Sequence, residues 1–186
     1  MGIDSLWQFL KHPEYTEDPN KGLLYRLECL GRLMIWALGI GLLLALMMGI
    51  AERAGPWDLG EHAIETLLEE FPIWMVFMLG AIVAPMIEEL IFRAPLWFFR
   101  ESRHFPVTFY ISVLAFGMVH LGNFPNLFEV VILAPLLISP QLCLGAFLGF
   151  IRVRFGLAWA VVFHAAYNSI LLGPLLILMY LEISVL

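Results

Sequence analysis

Along its hydrophobic and polar positions the chain is a series of long apolar blocks divided by short charged stretches. Leu33–Ala51 is apolar and uncharged throughout. Phe71–Ile87 is a second block, and apolar character resumes after a charged interruption and runs through Phe99. Phe105–Val119 is the third. Val130–Ile151, broken by Pro135 and Pro140, is the fourth. Phe155–Leu181, interrupted near its centre by Gly173-Pro174, is the fifth. Apolar blocks of about 20 residues match a hydrocarbon core roughly 30 Å thick at 1.5 Å per helical residue. A transmembrane β-barrel would instead show ~10-residue segments of alternating polarity, and this sequence has none. The pattern predicts an all-α fold, a polytopic transmembrane helical bundle of five spans, or six if a proline-broken block divides.

Two shorter segments read as interfacial helices lying on the bilayer. Asp4–Leu10 sets Leu6, Trp7, Phe9 and Leu10 behind Asp4 or Ser5 as the N-cap. Glu61–Phe71 places Ile64, Leu67, Leu68 and Phe71 on one face and Glu61, Glu65 and Glu69 on the other, after an Asp58-x-x-Glu61 capping signal. The chain divides into residues 1–70, holding the first span and an acidic loop, and a transmembrane core over residues 71–186.

Composition sharpens the class. The chain is 61% hydrophobic and only 14% charged, with a mean hydropathy of +0.88, whereas a soluble domain is nearer a quarter charged. The net charge of -6 comes mostly from one acidic stretch, and no basic patch of the kind nucleic acid requires is present. Cys29 and Cys143, far apart in or beside apolar blocks, read as packing residues without a disulfide framework. The first residues lack the basic start, apolar run and cleavage site of a signal peptide, so the first span is expected to be retained.

Charge also orients the spans. Lys11, Lys21, Arg26 and Arg32 precede the first span, Arg100 and Arg103 follow the second, and Arg152 and Arg154 follow the fourth. The loop after the first span carries Arg53 against six acidic residues. By the positive-inside rule, five spans with a cytoplasmic N-terminus put every one of these except Arg53 on the cytoplasmic side of the inner membrane. Dividing the fourth block at Pro140 would move Arg152 and Arg154 outside.

Ionisable side chains within spans are costly and mark cavities or functional sites. Glu88, Glu89 and Arg93 interrupt the second block, His120 ends the third, and His164 lies inside the fifth with Asn168 one turn on. Glu89 and Arg93 stand four apart on one helix face and can pair, while Glu88 projects about 100° away and is left free. Phe116 and His120 share a face in the same way, as do His164 and Asn168. Counted from the cytoplasmic basic residues, Glu88, His120 and His164 lie roughly 15–25 Å deep, so they can meet in one cavity.

These residues form three motifs in order: Glu88-Glu89-Leu-Ile-Phe-Arg93 fits EExxxR, Phe116-Gly-Met-Val-His120 fits FxxxH, and His164-Ala-Ala-Tyr-Asn168 fits HxxxN. Together they resemble the CAAX protease and bacteriocin-processing family, which includes the Ras-converting endopeptidase. The resemblance runs from about Phe71 to Leu172 and does not reach the first span. It implies an intramembrane endopeptidase that cuts near the C-terminus of a membrane-associated or lipidated substrate, with the bilayer and a peptide or protein as its partners.

Peptide hydrolysis needs an activated water, an oxyanion partner and a proton donor for the leaving amine. Glu88 with His120 can hold and deprotonate the water, and His164 with Asn168 can donate to the oxyanion. No serine or cysteine stands beside a base in the motifs, which disfavours an acyl-enzyme route. Two cofactor states stay open. A zinc ion on Glu88, His120 and His164 is one, although HExxH is absent; a glutamate-dependent site with no metal is the other.

Each residue has a plainer reading. Glu88 can be a buried neutral acid and Glu89–Arg93 a structural salt bridge, while a lone histidine in a helix is most often packing. Two histidines and an acid at one depth favour chemistry, with Phe116 packing to position His120. Rival classes are a transporter or proton relay, whose inverted repeats are missing here, and a non-catalytic immunity or interaction protein on the same scaffold.

Overall fold

The computed structural model describes residues 1–55, 63–124, 126 and 131–185, without the side chains of residues 63–65 and 182–185. Helix α1 covers Ile3–Lys11, α2 Leu23–Ala54 and α3 Ala63–Glu70. The second block runs as α4 (Ile73–Met78), a π-helical turn (Leu79–Val83), α5 (Ala84–Phe92) and a 3-10 turn (Ala94–Phe99). Helix α6 (Phe105–Val119) ends in a 3-10 turn at His120–Asn123. The fourth block comprises a 3-10 turn (Val131–Leu133), α7 (Ala134–Leu137) and α8 (Ser139–Phe155), and α9 spans Leu157–Val185. Five helical segments are long and apolar enough to cross a membrane: Leu23–Ala54, Ile73–Phe99, Phe105–Asn123, Val131–Phe155 and Leu157–Leu181. The protein is a polytopic helical bundle, with many large apolar side chains on its outer surface, Leu43, Leu46 and Ile50 among them, as lipid contact allows.

The prolines act through the backbone donors they remove. Pro140 has no N–H for the Leu136 carbonyl; the Ser139 hydroxyl donates to that oxygen at 2.7 Å, and the fourth span breaks at Ile138 without dividing. Pro174 lies within α9, which remains one helix. Between α8 and α9 stands a single residue, Gly156, at φ 100° and ψ 171°. Only glycine adopts that backbone region readily, so two antiparallel spans meet with almost no loop.

Helix α8 is the central element, buried from Leu144 through Val153 and packed against α1, α2, α6 and α9. Two glycines let α6 approach it. A Cβ on Gly149 would lie 2.6 Å from the Phe109 ring, and one on Gly145 would lie 3.2 Å from both Phe116 and the Arg93 guanidinium. This small-xxx-small spacing is how membrane helices bring their backbones together.

Helix α1 departs from the expected surface helix. Its cap is Gly2, whose carbonyl accepts from Ser5 and Leu6 N–H at 3.1 and 3.2 Å, with no bond from Asp4 or Ser5 side chains. Leu6 and Phe9 are buried in the protein core, where the Phe9 ring meets Phe109 and Phe150 at 5.0 and 5.2 Å. The apolar face thus finds aromatic partners on α6 and α8 in place of lipid, while Trp7 stays exposed. The Tyr110 hydroxyl of α6 also donates to the Leu10 carbonyl. The second interfacial segment is seen as α3; its expected capping residues Asp58 and Glu61 lie outside the described residues.

The segment after α1 lies over the end of α8. The Asp18 N–H donates to the Arg154 carbonyl at 2.9 Å, and the Arg154 guanidinium donates to the Thr16 carbonyl at 3.0 Å. Arg26 donates to the Asn20 carbonyl and stacks on Phe155 and Trp159. The N-terminal segment, the start of α6 and the end of α8 therefore share one end of the bundle.

Candidate active site

The second span carries the acidic pair through an irregular helix. In the π-helical turn the Ala84 N–H bonds to the Leu79 carbonyl, five residues back. The Gly80 carbonyl would next need the N–H of residue 85, which is proline. Asn168 on α9 fills the vacancy, its Nδ2 donating to Gly80 O at 2.9 Å. Helix α5 then stops ahead of Pro95. The carbonyls of Phe92 and Arg93 at its end accept from Ser112 Oγ at 2.6 Å and Arg152 Nε at 3.2 Å. Both ends of the glutamate helix are thus tied to other spans by side chains.

Glu89 and Arg93 are fully buried, with Arg93 Nη1 3.4 Å from Glu89 Oε1. That is an ion-pair distance without hydrogen-bond alignment, and Arg93 Nε, Nη1 and Nη2 and Glu89 Oε2 have no hydrogen-bond partner among the described residues. The guanidinium lies over the Phe116 ring at 3.9 Å, a cation–π contact that strengthens when desolvated. Glu89 has a second partner: His164 Nδ1 stands 3.0 Å from the same Oε1. A carboxylate only accepts, so Nδ1 carries the proton. His164 Nε2 then faces Glu88, whose Oε2 is 3.6 Å away. One imidazole is held between the two adjacent glutamates.

His120 opens the turn after α6, its Nδ1 2.7 Å from the Phe116 carbonyl. A carbonyl accepts, so Nδ1–H donates and Nε2 of the neutral ring keeps its lone pair. The buried Phe116 ring contacts both imidazoles, at centroid distances of 4.7 Å to His120 and 5.7 Å to His164. Glu88, Phe116, His120, His164 and Asn168 all line one cavity of about 500 Å³, whose remaining wall is largely apolar and includes Leu42 and Met48 of α2. Glu89 and Arg93 stand behind this wall.

Several side chains with a part in this geometry carry no motif. Ser112, Arg152 and the glycines of α8 hold the glutamate helix and Arg93 in place, and Tyr15 accepts from Arg152 Nη1 at 3.0 Å. The Gly145-x-x-x-Gly149 spacing was a readable signal. Arg152 was not: its pattern is that of a loop cation, yet it is buried.

Among the described residues no three His, Cys, Asp or Glu side chains stand together at metal-ligand spacing, where bonds run about 2 Å. Glu88, His120 and His164 line one cavity but do not stand together as a three-ligand set.

A protein-family model described as type II CAAX prenyl endopeptidase Rce1-like matches residues 70–170, a stretch that contains all seven motif residues. UPF0177 protein YbdI of Lactococcus lactis subsp. lactis (strain IL1403) is 27% identical over 112 residues, covering 60% of this chain and 55% of that protein. The chain therefore spans about half the length of the curated relative it matches. No solved structure matches it. With more than half of its residues inside the matching model, the chain belongs to the type II CAAX prenyl endopeptidase Rce1-like family.

Proposed function

We propose that this protein is an intramembrane endopeptidase that cuts a peptide bond near the C-terminus of a membrane-associated or lipidated substrate, using water activated by Glu88 and His120. The observation that carries this reading is the single cavity shared by Glu88, His120, His164 and Asn168, drawn from three spans. Water has two O–H bonds, and the Glu88 carboxylate and the His120 Nε2 lone pair are both acceptors. A water donating to both would turn its own lone pair toward a scissile carbonyl.

In the proposed step, the water oxygen bonds to the carbonyl carbon as its proton passes to Glu88. The oxyanion takes hydrogen bonds from His164, charged against Glu89, and from the second N–H of Asn168, since the first is spent on Gly80. Glu88 then gives its proton to the leaving nitrogen as the C–N bond breaks. Glu89 orients His164, and Arg93 balances Glu89. A purified-protein assay on a prenylated CAAX peptide tests the reading, with mass spectrometry to locate the cut. No cleavage by the parent, or unchanged cleavage by Glu88→Ala, would overturn it. Because the route uses side chains alone, cleavage is expected to persist after exhaustive chelation. Loss on chelation with recovery on adding zinc would reassign Glu88, His120 and His164 as ligands.

The proposed orientation puts the N-terminus and the loop after the second span in the cytoplasm. In intact cells, on a background lacking Cys29 and Cys143, cysteine at Glu52 is expected to react with an impermeant reagent, and cysteine at Arg103 is not. The reverse pattern would invert the topology.

A further inference from the structure

The cavity holds polar side chains that the chemistry above does not use. Its histidines and Asn168 are engaged by the protein: His120 by the Phe116 carbonyl, His164 by Glu89 and Asn168 by the Gly80 carbonyl. Three other polar residues line the same wall and lie at no fixed position of the three motifs. They are Asn123 at the end of the turn after α6, Gln141 in the first turn of α8, and Tyr167 on α9. Their side chains make no hydrogen bond among the described residues. Gln141 Oε1 is wholly enclosed and still has no donor among the described residues. The Tyr167 phenol is brought in by a glycine on the first span, since its oxygen sits against Gly41 where a Cβ would be.

Unpaired polar groups in a largely apolar wall at membrane depth cost free energy until something satisfies them. A purely apolar ligand would leave all three unpaired. An extended peptide main chain offers alternating N–H and C=O groups, which match donors at Tyr167 and Asn123 and, once the Gln141 amide turns from its enclosed position into the cavity, an acceptor and a donor there. Resting on the endopeptidase reading, we propose that Asn123, Gln141 and Tyr167 form a main-chain binding site that holds the substrate extended next to the scissile bond. The apolar wall receives its side chains. These residues position substrate without entering the proton transfers.

The test is binding of a fluorescent prenylated CAAX peptide to a Glu88→Gln background, beside a depsipeptide in which ester oxygen replaces the amide N–H flanking the scissile bond. Tyr167→Phe and Gln141→Met are each expected to raise the peptide Kd about three- to tenfold, the scale of one neutral hydrogen bond. The ester change should cost the background a similar factor and the Gln141→Met variant less. In the cleaving protein the same changes should raise KM and leave kcat nearly unaltered. Tyr167→Phe removes only a hydroxyl, so it remains informative if Gln141→Met does not fold. Equal Kd for all variants, or no binding of the peptide to the background, overturns the proposal. Binding that depends on these side chains in a parent that cuts nothing would support the site and overturn the endopeptidase reading alone.

Discussion

Glu88→Ala, His120→Ala and His164→Ala are each expected to lose at least ~10²-fold in turnover, the scale of an acid–base or oxyanion group, while still inserting and folding. Stability separates the three. Glu88 and His120 are half-buried and face the cavity, so truncation enlarges an existing cavity and strands no buried charge. His164 is buried between two carboxylates, and its loss removes one of the two partners of Glu89 and brings two acids closer to repulsion. His164→Gln, which keeps a donor for Glu89, should melt nearer the parent than His164→Ala yet turn over no faster. Cleavage rate and detergent-solubilised melting temperature decide the matter. Near-native cleavage by any alanine variant would end that residue's assigned role.

The second large effect concerns the adjacent glutamates. Glu89→Gln is expected to lower stability as well as activity, because it leaves a buried guanidinium with no counter-charge, a change that costs ~3–5 kcal/mol. The same oxygen holds His164, so the oxyanion partner loses its orientation in the same stroke. Arg93→Ala should behave alike, since it abandons Glu89 and the face of Phe116. The double change should cost less than the two single costs added, because each single variant strands a charge that the double does not. Glu88→Gln should lose activity with melting nearly unchanged. Zero coupling between Glu89 and Arg93, or a Glu88→Gln variant that is the destabilised one, would exchange the roles of the two acids.

Both predictions depend on one helical rotation that reads directly from sequence. An i,i+4 spacing places Glu89 over Arg93, and a shift of one residue turns Glu88 about 100° away. The same local rules locate the five apolar spans and group the basic residues Arg152 and Arg154 with the N-terminal segment. Each needs only chain-local geometry and the thickness of a bilayer.

What the sequence alone determined, then, is the class of fold, the number of long apolar helices, and the three motifs with their facing pairs. These rest on interactions between residues within a few positions of each other, or on a solvent that treats every span alike. The tertiary structure decided the rest. That His164 sits between Glu88 and Glu89, that Asn168 spends a donor on a carbonyl orphaned by a π-helical turn and Pro85, and that α1 buries Phe9 against α6 and α8 are all long-range facts. Arg152 shows the reason most plainly. By charge pattern it is a loop cation at a membrane surface; in the bundle it is buried, donating to the Arg93 carbonyl 59 residues away. Helix packing, set by glycines such as Gly145 and Gly149, determines which carbonyls are left without a donor and which side chains are near enough to supply one.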